Sequence, residues 1–197
     1  VSMSPQFLAI AYYTEDTKYQ HLSESLKKSS QSFAIPLHLK GIPNLGSWEK
    51  NTHYKAQFIL ESLETLNTDL LYVDVDAVFR SYPQLLETLD CDIAYRTENF
   101  KWRKNEALSG TIFIKNTSNS KIFLEKWIDL NKKNPAHRYK PETWEQANMQ
   151  RAVDLTKDLK YYNLPPEYTF IFDHTRNLYP GLNPVIEHFQ ASRKTDI

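Results

Sequence analysis

Strand-like and helix-like stretches alternate through the first 79 residues, and this order is the strongest constraint on the fold. An apolar run occupies residues 6–14, a second strand-like run occupies residues 34–39, and a third begins at Leu70. Between them, amphipathic helices are predicted from a cap at Asp16 or Thr17 to about residue 32, and over residues 52–66. Strands separated by helices pair in parallel through right-handed crossovers, so the sequence predicts an α/β fold with a mostly parallel sheet flanked by helices.

The remaining residues predict shorter elements around the same sheet. Helices are expected over residues 83–89, from Ser118 or Asn119 to about residue 131, and from Pro141 onward. Strands are expected over residues 92–95, 111–115, 160–164, 168–172 and 185–189. Because no repeat or linker interrupts the pattern, residues 1–197 are interpreted as a single domain.

The composition excludes several classes of partner. Lys plus Arg and Asp plus Glu number 24 each, which argues against a nucleic acid as partner. No apolar run is long enough to span a membrane, and the N-terminus lacks a signal-peptide pattern, so a cytoplasmic location is expected. Four glycines are too few for a glycine-rich phosphate loop, so a phosphate would need a metal ion and cationic side chains.

Two carboxylates follow the third predicted strand. Asp74 and Asp76 come after four apolar residues, within a strand predicted to continue through Phe79. Side chains alternate along a strand, so both carboxylates are expected on one face, at the sheet edge where α/β proteins bind ligands. Carboxylate oxygens suit Mg²⁺ or Mn²⁺, which in turn bind phosphates.

The spacing of two aspartates is common by chance, and the chain contains a second copy. Asp90 and Asp92 have the same spacing but precede a strand, at the end where parallel sheets rarely bind ligands. They are interpreted as loop and helix-end charges. Their position after a buried strand therefore distinguishes Asp74 and Asp76 from Asp90 and Asp92.

The motif and the segments that follow it resemble the GT-A glycosyltransferases, which use nucleotide-sugar donors. The similar segments are residues 108–116 (LSGTIFIKN), 144–148 (WEQAN), 164–168 (LPPEY) and 186–189 (IEHF). Their order along the chain carries the resemblance more than any one of them. A glycine is usual two residues after the late histidine of the retaining branch, and this chain has Gln190 there.

The resemblance implies a metal and donor site. The metal, Mn²⁺ or Mg²⁺, would be held by Asp74, Asp76 and His188. Asp76 and His188 would bind it directly, and Asp74 would reach the ribose or a metal-bound water. The donor, a UDP-sugar first and a GDP-sugar second, would contact the residues Tyr12, Tyr13, Thr14, Lys55, Asp74 and Arg193. Residues 1–80 would form the nucleotide-binding half and residues 81–197 the acceptor and metal half, with a glycan or other hydroxyl compound as acceptor.

The resemblance places an acidic residue at Glu145 and favours retention of configuration. Glu145 is therefore the candidate catalytic carboxylate beside Asp74 and Asp76, acting on the donor face of the sugar. Lys55 is expected on the outer face of its helix, near the amino end. Each assignment has a structural alternative. Glu145 could be a first-turn helix carboxylate, Lys55 one more exposed helix charge, and His188 a surface histidine.

Two other functions compete with a transferase. Haloacid-dehalogenase-like phosphatases carry a similar motif, in which Asp74 would be the nucleophile and Asp76 the general acid or base. That motif normally lies on the first strand, however, and no later pair of acidic metal ligands follows here. A binding module for nucleotide-sugars or glycans, without turnover, is the other alternative.

Overall fold

The structure, a computed structural model, describes residues 5–101 and 103–193, without the Arg193 side chain. Its central sheet contains β1 (Phe7–Thr14), β2 (Leu37–Ile42), β3 (Asp69–Val73), β5 (Ile93–Glu98), β6 (Glu106–Ile114) and β7 (Tyr161–Asn163). A smaller sheet contains β4 (Ala77–Phe79), β8 (Phe170–Ile171) and β9 (Ile186–His188). The helices are α1 (Lys18–Ser32), α2 (Trp48–Leu66), α3 (Ser118–Lys133), α4 (Glu145–Leu155) and α5 (His174–Leu178).

The central sheet is mixed and mostly parallel, as predicted. Its strand order is β2-β1-β3-β6-β5-β7. Strand β1 pairs in parallel with β2 and β3, whereas β6 is antiparallel to both β3 and β5. The inserted antiparallel strand places the start of β6 beyond the carboxyl end of β3, because Val73 pairs with Thr111.

The small sheet was not predicted. Strand β9 pairs antiparallel with β4 and parallel with β8. The sequence indicates strands near residues 170 and 186 but gives no sign of their partner. Because β4 follows Asp76 directly, the small sheet places the end of β9 beside the carboxylates.

Apolar side chains cover both faces of the central sheet. Leu26 of α1 packs against one face together with the small sheet. Phe58 of α2, Trp127 of α3 and Met149 of α4 pack against the other. Alternate residues of β1 enter the two cores, with Ala9 in the first and Ile10 in the second.

Two helices begin elsewhere than the sequence predicts. Helix α2 starts at Trp48, four residues before the predicted start at residue 52, because the Ser47 side chain accepts a hydrogen bond from the Lys50 backbone N–H and caps the helix there. Helix α4 starts at Glu145, after a 3₁₀ turn over Pro141–Thr143. Across the described ranges, every helix is too short or too polar to cross a bilayer.

Candidate metal and nucleotide site

Asp74 and Asp76 lie in a turn and not in a continuous strand, contrary to the sequence prediction. Strand β3 ends at Val73, and the Ala77 backbone N–H donates to the Asp74 carbonyl at 2.9 Å. The carboxylates therefore do not owe their positions to strand alternation. They nevertheless lie at the predicted edge of the sheet.

His188 joins the two carboxylates from the end of β9. One ligand atom from each of Asp74, Asp76 and His188 can be chosen so that all lie within 4.8 Å of one another. The Ala191 backbone N–H donates to Asp76 Oδ2 at 2.8 Å, which ties the segment after β9 to the same turn. Three residues that were predicted as metal-binding thus form one cluster, and His188 is buried, not a surface histidine.

Two β6 residues define the space around His188. Thr111 Oγ1 lies 2.7 Å from His188 Nε2, a contact that orients the ring. A Cβ atom added at Gly110 would lie 3.1 Å from His188 Nδ1 and 3.3 Å from Asp74 Oδ2. Only glycine leaves this space between the imidazole and the carboxylate open.

The protonation states of the cluster suit cation binding. Burial lowers the pKa of His188 to about 4, so its imidazole is neutral at pH 7 and keeps a lone pair. Burial, followed by the charge of Asp74, raises the pKa of Asp76 to about 6. Burial opposes ionisation of Asp74, but Lys55 and His188 together with hydrogen bonds hold its pKa below the ordinary value.

Lys55 is buried and not on the outer face of its helix, so that prediction was wrong. Its side chain is 4% exposed, and its Nζ lies 3.1 Å from Asp74 Oδ1 and 3.0 Å from Glu145 Oε1. Nζ also donates to the carbonyl and hydroxyl oxygens of Ser109 at 3.1 and 3.0 Å. Although burial alone would lower the pKa of Lys55, Asp74 and Glu145 raise it, so the ammonium form persists.

Glu145 lies beside this lysine at the first position of α4. Its carboxylate is buried, and Oε1 accepts hydrogen bonds from Lys55 and from Ser109 Oγ. Oε2 is also buried, and it has no hydrogen-bond partner among the described residues. A helix-end carboxylate alone would be solvated, so the structure places Glu145 inside the site.

The cluster carries excess negative charge. Asp74, Asp76 and Glu145 contribute three carboxylates, Lys55 contributes one ammonium, and His188 is neutral. At pH 7 the balance is about minus two, since Asp76 with a pKa of about 6 is mostly ionised. A divalent cation would neutralise this charge, and two carboxylates with one imidazole are donors that Mn²⁺ or Mg²⁺ accepts.

The predicted nucleotide contacts at the end of β1 are largely occupied by protein. The Tyr12 ring packs against the Tyr54 and Phe58 rings, and its hydroxyl donates to the Asn51 carbonyl at 2.6 Å. Thr14 is buried, and its carbonyl accepts from the hydroxyl of Thr17, the residue that caps α1.

Tyr13 and Arg193 complete the set of predicted nucleotide contacts. The Tyr13 ring is partly buried and packs against the core that contains Leu26, and its hydroxyl lies close to Gly41. The Arg193 side chain lies outside the described part of the chain, and its role stays a prediction.

Gly110 and Tyr72 belong to the site, although neither was predicted individually. A glycine inside a strand, in a chain with only four glycines, signals close approach by another group and could have identified Gly110. The Tyr72 hydroxyl donates to Asp74 Oδ1 at 2.7 Å, a contact with no signal in the sequence.

Solved structures of glycosyltransferases share this fold. A glycosyltransferase involved in the glycosylation of the major capsid of PBCV-1 matches with a TM-score of 0.70 and 14% identity, over 95% of this chain and 94% of that one. GlyE of Streptococcus pneumoniae TIGR4 matches with a TM-score of 0.63 and 16% identity, over 94% and 55% of the two chains. The galactosyltransferase LgtC, solved with donor and acceptor sugar analogs, matches with a TM-score of 0.57 and 9% identity, over 92% and 86%. The fold is therefore the GT-A glycosyltransferase fold.

The sequence itself shows the family. A profile of nucleotide-diphospho-sugar transferases matches residues 44–196, whereas curated protein sequences give no significant match. The chain belongs to the nucleotide-diphospho-sugar transferase family and is a glycosyltransferase. This assignment places it outside the haloacid-dehalogenase-like phosphatases.

Proposed function

We propose that this glycosyltransferase moves a sugar from a nucleoside-diphosphate donor, a UDP-sugar by preference, to the hydroxyl of a glycan or similar acceptor. The reaction would need Mn²⁺ or Mg²⁺ and retain configuration at the anomeric carbon. The observation that carries the proposal is the convergence of Asp74, Asp76 and His188 within 4.8 Å at the edge of the sheet.

The residues present fit a divalent cation. Asp76 and His188 would bind it directly, and Asp74 would bind it or reach the ribose. When bound, such a cation stabilises the negative charge that develops on the diphosphate leaving group, as a Lewis acid. Gly110 keeps the space beside these donors open.

Lys55 and Glu145 would act on the donor side of the same site. The Lys55 ammonium fixes the Asp74 and Glu145 carboxylates in place through contacts of 3.0–3.1 Å. The Glu145 carboxylate, held by Lys55 and Ser109, would stabilise positive charge at the anomeric carbon. This action needs a buried carboxylate held at a fixed position, which the arrangement provides.

The affinity for Mn²⁺ is expected to fall as the pH drops through about 6. Protons compete with the cation for Asp76, whose pKa is about 6, whereas His188 stays neutral down to about pH 4. Between pH 7 and pH 5 the dissociation constant should rise about tenfold, following the protonated fraction of one carboxyl group. Isothermal titration with Mn²⁺ at four pH values measures this slope. A flat profile would contradict the assignment of Asp76 as a ligand.

Substitution of Gly110 with alanine is expected to weaken metal binding and sugar transfer by at least about tenfold, through steric effect alone. The new Cβ would crowd His188 Nδ1 at 3.1 Å and Asp74 Oδ2 at 3.3 Å without altering any charge. Gly110 does not adopt a positive φ, so alanine fits the backbone. Calorimetry with Mn²⁺ and a thermal melt should show lost affinity in a folded protein. Unchanged affinity would show that the cation does not bind between these two groups.

Calorimetric titration of UDP and GDP, with and without Mn²⁺, tests the proposal. Metal-dependent binding of one nucleotide at micromolar concentration is the expected result and selects the donors for screening. Hydrolysis of the matching nucleotide-sugar then separates an active transferase from a binding module. Absence of metal-dependent nucleotide binding would refute the proposed donor site.

A further inference from the structure

A second concave site lies beside the proposed donor site. Residues 99–101, 103 and 104, together with His174 and Leu178 of α5, line an open cavity of about 630 Å³. Its described lining includes Phe100, Arg103, Lys104 and His174, and none of the proposed metal ligands. The cavity is therefore a separate site, and its lining indicates which ligand it could bind.

The cavity wall carries positive charge. Lys101, Arg103 and Lys104 line it, and among the described lining residues there is no carboxylate. The Arg103 guanidinium is fixed by Glu106, whose Oε1 lies 3.0 Å from Nη1. Lys104 is exposed at the rim. Such a wall favours a ligand that carries negative charge.

His174 also lines this cavity. Its ring stacks on Phe100 with centroids 4.4 Å apart, and its buried Nε2 has no hydrogen-bond partner among the described residues. The Arg103 guanidinium also lies over the Phe100 ring, at 5.5 Å from its centroid. The Phe100 ring is therefore covered by His174 and Arg103 and is not available to stack on a sugar. The cavity would bind a ligand mainly through charge.

The location of the cavity fits an acceptor better than a donor. Strand β6 leads from Glu106, next to the cavity, to Gly110 at the metal cluster, a path of four residues or roughly 13 Å. The other wall is also connected to the cluster, because the Phe172 backbone N–H, two residues before His174, donates to the His188 carbonyl at 3.1 Å. Diphosphate bound at the cluster would not reach this cavity, whereas an extended acceptor would.

We propose that this cavity binds an anionic group of the acceptor, a phosphate or a carboxylate, while the acceptor hydroxyl lies at the donor site. The proposal rests on the proposed function and names the acceptor class: a glycan or similar molecule that is negatively charged about one or two sugar units from the reacting hydroxyl. Arg103 and Lys104 supply the contacts, and His174, which lines the same cavity, reports the bound anion.

NMR titration of the histidine side chains with inorganic phosphate, and separately with acetate, tests the binding step on metal-free protein. The His174 signal, assigned by its loss in His174→Ala, should shift and saturate with at least one anion at constant pH. Lys104→Glu should weaken this response by about tenfold, because it reverses a charge at the rim. The matched control is Lys157→Glu, an exposed site in the turn before β7, and should respond like the wild type.

Transfer assays then connect the cavity to the acceptor. The wild type should prefer a uronic acid or sugar phosphate over the neutral sugar by about tenfold in kcat/KM, and Lys104→Glu should lose this preference. Donor hydrolysis without acceptor should be equal in both proteins, which separates failure of this proposal from failure of the transferase function. A His174 signal that ignores both anions, or responds equally in Lys104→Glu, would overturn the proposal.

Discussion

Replacement of Asp76 with asparagine is expected to lower the rate of sugar transfer on the order of a thousandfold, since the cation loses a charged ligand and with it several kcal/mol of transition-state stabilisation. The same change should stabilise the metal-free protein at pH 8. The pKa of Asp76 is raised from 3.8 to about 6 in the folded state, so its ionised form disfavours folding above that pH. Asparagine removes the charge and can still accept the Ala191 hydrogen bond.

The stability gain should depend on pH in a definite direction. It should be largest above pH 6 and shrink steadily as the pH falls toward 4, because the wild-type carboxyl becomes protonated in the folded state over this range. Thermal melts at pH 8 and pH 4.5 measure it, alongside turnover with Mn²⁺. Asp90→Asn, in the second Asp-x-Asp copy, is the matched control because the Asp90 side chain is 90% exposed, and it should change neither quantity. An Asp76→Asn variant that keeps full turnover would remove Asp76 from the reaction.

Replacement of Lys55 with methionine is expected to destabilise the protein by about 3–5 kcal/mol and to abolish turnover. Methionine preserves most of the aliphatic packing but leaves the Glu145 carboxylate buried without its counter-ion and deprives Asp74 of the contact at 3.1 Å. Urea denaturation at pH 7.5 gives the free energy of unfolding of each variant. A loss below about 1 kcal/mol would contradict the view that Lys55 neutralises buried charge.

A double variant separates the electrostatic effect from packing. Glu145→Gln in the Lys55→Met background removes the carboxylate that the first change leaves unpaired. The double variant should recover more than half of the lost stability and none of the activity. Equal instability of the single and double variants would instead assign the cost of Lys55→Met to packing around Tyr72, over whose ring Lys55 lies at 5.2 Å.

The sequence predicts the central sheet well because its signals are local. Apolar runs and helical periodicity place β1, α1, β2 and β3 in order, and the crossover rule then gives their parallel pairing. The small sheet has no such signal. Its strands have two or three residues, and Ala77 pairs with His188, more than a hundred positions later, which no local pattern encodes.

The candidate site likewise contains residues that local sequence identifies and a residue that only the tertiary structure explains. Asp74 and Asp76 were identified by their position after a buried strand, although the turn that holds them was not. Lys55 was assigned to the helix surface because a lysine at a helical position is usually exposed. Its burial depends on two carboxylates from distant segments, Asp74 and Glu145, and only the tertiary structure brings these together.

The small sheet also affects how easily part of the site opens. Strands of two or three residues have few hydrogen bonds to break, so β9 can detach in local openings that leave the central sheet intact. His188 would leave the site in each such opening, and the bond between Ala191 and Asp76 would break with it. A ligand that binds His188 and Asp76 together opposes this detachment by its binding free energy. Amide hydrogen exchange along Ile186–His188 is therefore a measure of site occupancy: its slowing reports the free energy with which a bound cation holds β9 on the small sheet.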